Sequence, residues 1–133
     1  MKKERIQIEH KLHSNSENII WSLLSTAAGM QKWIADEVND KSHHMWEFTW
    51  GDKQSQHETR NAEILQMQKN DFIRFKWEDE TDENAYIELK MNQTELTNDY
   101  ILTITDHALP EDVNSIESLW GDNLAKLHQS TGL

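Results

Sequence analysis

Residues 110–128 read PEDVNSIESLWGDNLAKLH. Here Val113, Ile116, Leu119, Trp120, Leu124 and Leu127 recur at threes and fours, the spacing that gathers side chains on one face of an α-helix. Pro110 suits the first helical turn, where its missing N–H costs nothing. Glu111 and Asp112 follow where the helix dipole favours negative charge, Lys126 and His128 lie near the opposite end, and Gly132 ends the segment. The reading is a C-terminal helix of roughly five turns with one apolar stripe. Such a stripe needs a partner surface, and the residues before it supply one.

Working back from the helix, Tyr100, Leu102 and Ile104 alternate with Ile101 and Thr103, and Ile87, Leu89 and Met91 alternate with Glu88 and Lys90. Ile73, Phe75 and Trp77 alternate with Arg74 and Lys76, and Trp46, Phe48 and Trp50 alternate with Glu47 and Thr49. A longer, more polar strand is expected from Gln56 to Met67, with Ala62, Ile64 and Arg60 sharing a face. A period of two marks strands with one apolar face. Gly51-Asp52-Lys53, Lys69-Asn70-Asp71 and the polar stretch Asn92 to Asp99 read as turns. The run Glu78 to Asn84 reads as a solvated loop, because its charges are too dense to bury. At the start, Ile6, Ile8, His10 and Leu12 form another alternating strand. Ser14, Asn15 and Ser16 then offer caps for a helix carrying Ile19, Ile20, Leu23 and Leu24. Thr26 caps a second, short helix through Ala27, Met30 and Trp33, in which Gly29 is an imperfect helix former. The expected fold is α+β: an antiparallel sheet of about seven strands wrapped around the long C-terminal helix, with two short helices after the first strand. Residues 1–133 are read as one domain.

Composition narrows the function classes. The formal charge is −11, and protonating all seven histidines would not reverse its sign. Such a surface repels phosphate backbones, so nucleic acid is not an expected partner. Without cysteine there is no disulfide, thiolate nucleophile or thiolate metal site. Met1-Lys2-Lys3-Glu4-Arg5 lacks the apolar stretch of a signal peptide, and no apolar run approaches the ~18 residues of a membrane span. The expected location is cytoplasmic.

Several stretches resemble the START-like, helix-grip (Bet v 1-like) superfamily, in particular small bacterial proteins near the Hsp90-ATPase-activator homologue group. They are Ser25 to Asp36, with Thr26, Gly29, Trp33 and the Ala35-Asp36 pair; Phe48-Thr49-Trp50 and Phe75-Lys76-Trp77; Leu96-Thr97; Leu102 to Asp106; and Leu119-Trp120 to Leu127. Trp33-Ile34 stands where the family usually has Trp-Phe. The resemblance implies a cavity between sheet and long helix that takes a hydrophobic or amphipathic small molecule. It also admits a protein-interaction or chaperone-cofactor-like module with a filled core.

The aromatic residues carry the candidate site. Trp33, Trp46, Trp50, Trp77 and Trp120 are expected to face the space between sheet and helix, as cavity walls or as core. The full candidate lining is Trp33, Trp46, Phe48, Trp50, Arg60, Phe75, Trp77, Leu89, Trp120 and Leu124, with Arg60 or His57 fixing a polar end of the ligand. Arg74 alternates with an apolar face and should point outward. His43-His44 is not a convincing metal site, because neighbouring strand residues diverge and no second pair of ligands is evident. Asp106-His107 fails as a catalytic dyad for the same geometric reason, so Asp106 is expected to end the last strand or cap the turn into the helix. No catalytic residue, metal or cofactor is assigned. Six tryptophans in so short a chain leave self-association or a protein partner open.

Overall fold

The computed structural model describes residues 2–42, 44–52 and 54–133. His43 of the His43-His44 pair and Lys53 of the turn after Gly51 lie outside the described residues.

The chain opens with strand β1, Glu4–Lys11, followed by helices α1, Glu17–Ser25, and α2, Ala27–Met30. Strands β2 (Glu37–Asp40), β3 (Met45–Gly51), β4 (His57–Gln68), β5 (Phe72–Trp77), β6 (Ile87–Gln93) and β7 (Tyr100–Ala108) come next, and helix α3, Val113–Thr131, closes the fold. The strands form a single antiparallel sheet in the order β1-β7-β6-β5-β4-β3-β2. Consecutive strands from β2 to β7 are neighbours, as a meander requires. β1 closes the far edge against β7, with Ile6 opposite Asp106 and Ile8 opposite Ile104.

Alternation puts Trp46, Phe48, Ala62, Ile73, Phe75, Leu89, Leu102 and Ile104 in one core, all nearly inaccessible to water. Helix α3 adds Trp120, Leu124 and Leu127, and the short helices add Ile20, Leu23, Leu24 and Met30. The helix differs from its sequence reading in two ways. Pro110 heads a short 3-10 turn, Pro110–Asp112, and the α-helix begins only at Val113. Leu119, read as part of the stripe, is 48% exposed, whereas Asn123 is buried to 8% exposure. The buried face is therefore Trp120, Asn123, Leu124 and Leu127. Gly132 ends the helix in a left-handed conformation (φ 79°), and its N–H donates to the His128 carbonyl at 2.8 Å.

Two local devices fix the turn between the short helices. Thr26 accepts a hydrogen bond from the Gly29 N–H at 2.9 Å and donates its hydroxyl to the Ser22 carbonyl at 2.7 Å. Gly29 then lies so close to α1 that an added Cβ would sit 2.7 Å from the Leu23 Cα and nearer still to the Ser22 carbonyl oxygen. The sequence reading treated Gly29 as a flaw in a helix; the close approach of two backbones is its actual reason.

Candidate ligand-binding site

The sheet contributes three side chains to one end of the grip by simple parity. Trp50 on β3, Arg60 on β4 and Trp77 on β5 belong to the inward-facing set. Ile87 on β6 and Asp106 on β7 extend that row, and Ile116, Leu119, Trp120 and Asn123 of α3 face them. Ile34, Lys3, Glu80 and His107 complete the wall around a cavity of about 180 Å³. A shallow surface groove bordered by Lys2, Arg5 and Pro110 adjoins it, sharing Lys3 and His107.

Of the ten side chains expected to line a site, Trp50, Arg60, Trp77 and Trp120 border this cavity. Trp33, Trp46, Phe48, Phe75, Leu89 and Leu124 lie in the packed core. Phe48 stacks on Phe75 at 5.9 Å between ring centroids and meets Trp77 edge-on at 5.2 Å, so the space beneath the cavity is filled by rings. Trp33 packs against Trp120 at 6.0 Å.

Most of the indole N–H groups expected to orient a ligand are already engaged. Trp33 donates to the Leu23 carbonyl at 3.0 Å, Trp50 to the Ile34 carbonyl at 2.9 Å, and Trp120 to Asp106 Oδ2 at 2.7 Å. What Trp50 and Trp120 present to the cavity is therefore ring surface.

Asp106 corrects its sequence reading. It neither ends β7 nor caps the turn, since the strand runs on to Ala108. Its carboxylate points inward, where Oδ2 accepts from Trp120 and Oδ1 accepts the His107 backbone N–H at 2.7 Å. Burial pushes this carboxyl above the ordinary aspartate range, although both hydrogen bonds work against the shift. His107 turns to the Tyr86 backbone, with Nδ1 2.8 Å from the Tyr86 carbonyl oxygen.

The acidic run after β5 is also not merely a solvated loop. Lys3 Nζ meets Glu80 Oε1 at 2.7 Å, and the Lys3 backbone N–H donates to Asp82 Oδ2 at 2.9 Å. The Glu80 side chain is only 9% exposed. Burial alone would raise the Glu80 carboxyl, but Lys3 and the Asp82 N–H outweigh it and hold the group below the ordinary range. Arg60 spans the rim, with Nη2 2.8 Å from Asp79 Oδ1 and the guanidinium 4.3 Å from the Trp77 ring centroid. The Arg60 hydrogen bond is the main reason Asp79 is held low. Arg74 lies on the outer face, paired with Glu88 at 2.9 Å and stacked on Tyr86. His57 is exposed and contacts the Ser55 carbonyl oxygen.

Asn123 was not singled out from sequence. Its side-chain amide borders the cavity and, among the described residues, hydrogen-bonds to nothing. Helical spacing held the signal, since position 123 is one turn beyond Trp120, but its polarity hid it in a search for apolar residues. Among the described residues no cluster of three or more His, Asp or Glu could hold a metal, and no helix is long and apolar enough to cross a membrane.

A seven-stranded antiparallel sheet closed over a C-terminal helix, with a cavity between them, defines the helix-grip class. The START-like superfamily domain model matches residues 1–133, and the chain belongs to that superfamily. A Bacteroides fragilis protein of known solution structure is 39% identical, with a TM-score of 0.64 over 97% of this chain and 91% of that one. The Aha1 dimer from Colwellia psychrerythraea is 14% identical and superimposes with a TM-score of 0.72 over 97% of this chain and 98% of that chain. A Mesorhizobium loti protein reaches 0.71 at 13% identity, covering 95% of both chains. Among curated proteins no sequence matches.

Proposed function

We propose that the protein binds a small amphipathic molecule in the cavity between α3 and the sheet. The observation that carries this reading is the combination of ring-lined space with Asn123, a largely buried residue whose amide opens onto that space and has no hydrogen-bond partner among the described residues. The Asn123 amide stays accessible from the cavity, so it is free to hydrogen-bond a polar group that enters there.

Size limits the ligand. Drug-sized molecules occupy pockets of about 300–1,000 Å³. A cavity of about 180 Å³ lies below that range. It suits one ring or a short chain with a polar head, and a sterol or diacyl lipid would require α3 to move. The alternative, a protein-docking module acting through the acidic 78–83 run, has less support, because Asp79, Glu80 and Asp82 are already engaged by Arg60 and Lys3.

Native mass spectrometry of the purified protein tests the proposal, followed by tryptophan fluorescence against a panel of small amphipaths. A retained adduct, or saturable quenching, is the expected result. Absence of any adduct, together with unchanged fluorescence across the panel, would overturn it.

A further inference from the structure

We propose that the head group taken by this pocket is a protonated primary amine, held by Asp106 and Asn123 with its apolar body against Trp50, Trp77 and Trp120. The inference rests on the ligand-binding reading above and adds the chemical class of the ligand.

A census of charge around the cavity leads to it. Lys3 is neutralised by Glu80 at 2.7 Å, and Arg60 by Asp79 at 2.8 Å. Asp106 remains, and among the described residues it forms no ion pair, although Lys3 and the adjacent His107, both on the cavity wall, favour its charged form from farther off. Its two oxygens accept only from neutral donors, the Trp120 indole and the His107 backbone. A carboxylate drawn out of water needs a cation or a proton. Here the open side of the carboxylate is a cavity rather than another residue.

Asn123 supplies an independent observation. The residue is more than nine-tenths buried, and its amide opens onto the same cavity and has no hydrogen-bond partner among the described residues. An ammonium carries three donors, enough for the Asp106 carboxylate and the Asn123 carbonyl together. Indole faces attract cations through their ring quadrupole, and the net charge of −11 draws cations toward the surface. The other head charges fit less well. An anion would meet Asp106 and Glu80, and a neutral head would leave Asp106 without an ion-pair partner in contact.

Three ligands of nearly one shape test the assignment: benzylamine, benzyl alcohol and benzoate. Each is titrated near neutral pH into the native protein and into Asp106→Asn, with tryptophan fluorescence and calorimetry as readouts. Asparagine keeps one of the two acceptor oxygens, enough for the Trp120 indole but not also for the His107 N–H, and circular dichroism checks that the variant folds. The native protein should prefer benzylamine over benzyl alcohol by roughly tenfold or more, with benzoate weakest. Asp106→Asn should abolish the preference for the amine while still binding the alcohol. If the alcohol or benzoate binds as tightly as the amine, or if the preference survives in Asp106→Asn, the amine assignment is wrong and the ligand site stands. If none of the three binds while other amphipaths of the panel do, the amine assignment alone fails; if nothing in the panel binds and no adduct is retained, the ligand-binding reading fails with it.

Discussion

Gly29 and Asp106 are the two residues whose roles changed most between sequence and structure, and each has a measurable consequence. At Gly29 any side chain would run into the Ser22 and Leu23 backbone. Gly29→Ala should therefore destabilise the protein by about 3 kcal/mol, even though alanine is the better helix former. Urea unfolding measures this; a neutral or stabilising effect would show that the two helices are not so closely apposed. Asp106 predicts an inverted pH dependence. Its folded-state pKa is raised, so the carboxyl favours the fold below the ordinary aspartate pKa, and this contribution is lost as pH rises through the raised value. Asp36, Asp79 and Glu80 are held low and behave oppositely, favouring the fold above their ordinary values and losing that contribution in acid. The stability of Asp106→Asn relative to native should accordingly increase as pH rises from acid toward neutrality, read by urea unfolding at several pH values. A flat or falling difference would contradict the burial of Asp106. The inward direction of Asp106 was legible, because it shares parity with Tyr100, Leu102 and Ile104. Its hydrogen bond to Trp120 was not, since that depends on how strand and helix are set against one another.

At the scale of elements, periodicity located α3 and the aromatic strands well, because each has an apolar side that must be covered. Strand β2 left no such trace. Its sequence, Glu-Val-Asn-Asp, holds one apolar residue, and it survives as a short edge strand by pairing with β3, Val38 opposite Phe48. The Glu78 to Asn84 run is a loop with most of its residues exposed, as read, but its ties to Lys3 were not legible: density of charge says nothing about whether a lysine from the distant N-terminus will arrive to pair with it. Helix α3 offers a contrast between two leucines that look equivalent in sequence. Leu124 is buried to 8% exposure, whereas Leu119 is half exposed at the rim of the cavity. Leu124→Ala should cost about 2–5 kcal/mol, and Leu119→Ser less than about 1 kcal/mol. Thermal and urea unfolding of the pair check the orientation of the helix; equal losses would mean that α3 is rotated from the position described.

The whole molecule turns on whether the grip is full or open. Composition could not decide this, because the same tryptophans serve as filling or as walls. The structure divides them: Trp33 and Trp46 are buried with Phe48 and Phe75, while Trp50, Trp77 and Trp120 border a remaining space. Packing of this kind depends on the relative placement of every ring and leaves no mark in periodicity or charge. The most direct measurement follows the six indole N–H signals in a ¹⁵N-correlated spectrum during a titration with benzylamine. Trp50, Trp77 and Trp120 should shift together and saturate at one affinity, while Trp21, on the far helix α1, stays still. Signals that do not move, or movement confined to Trp21 and Trp46, would contradict a ligand pocket between the helix and the sheet.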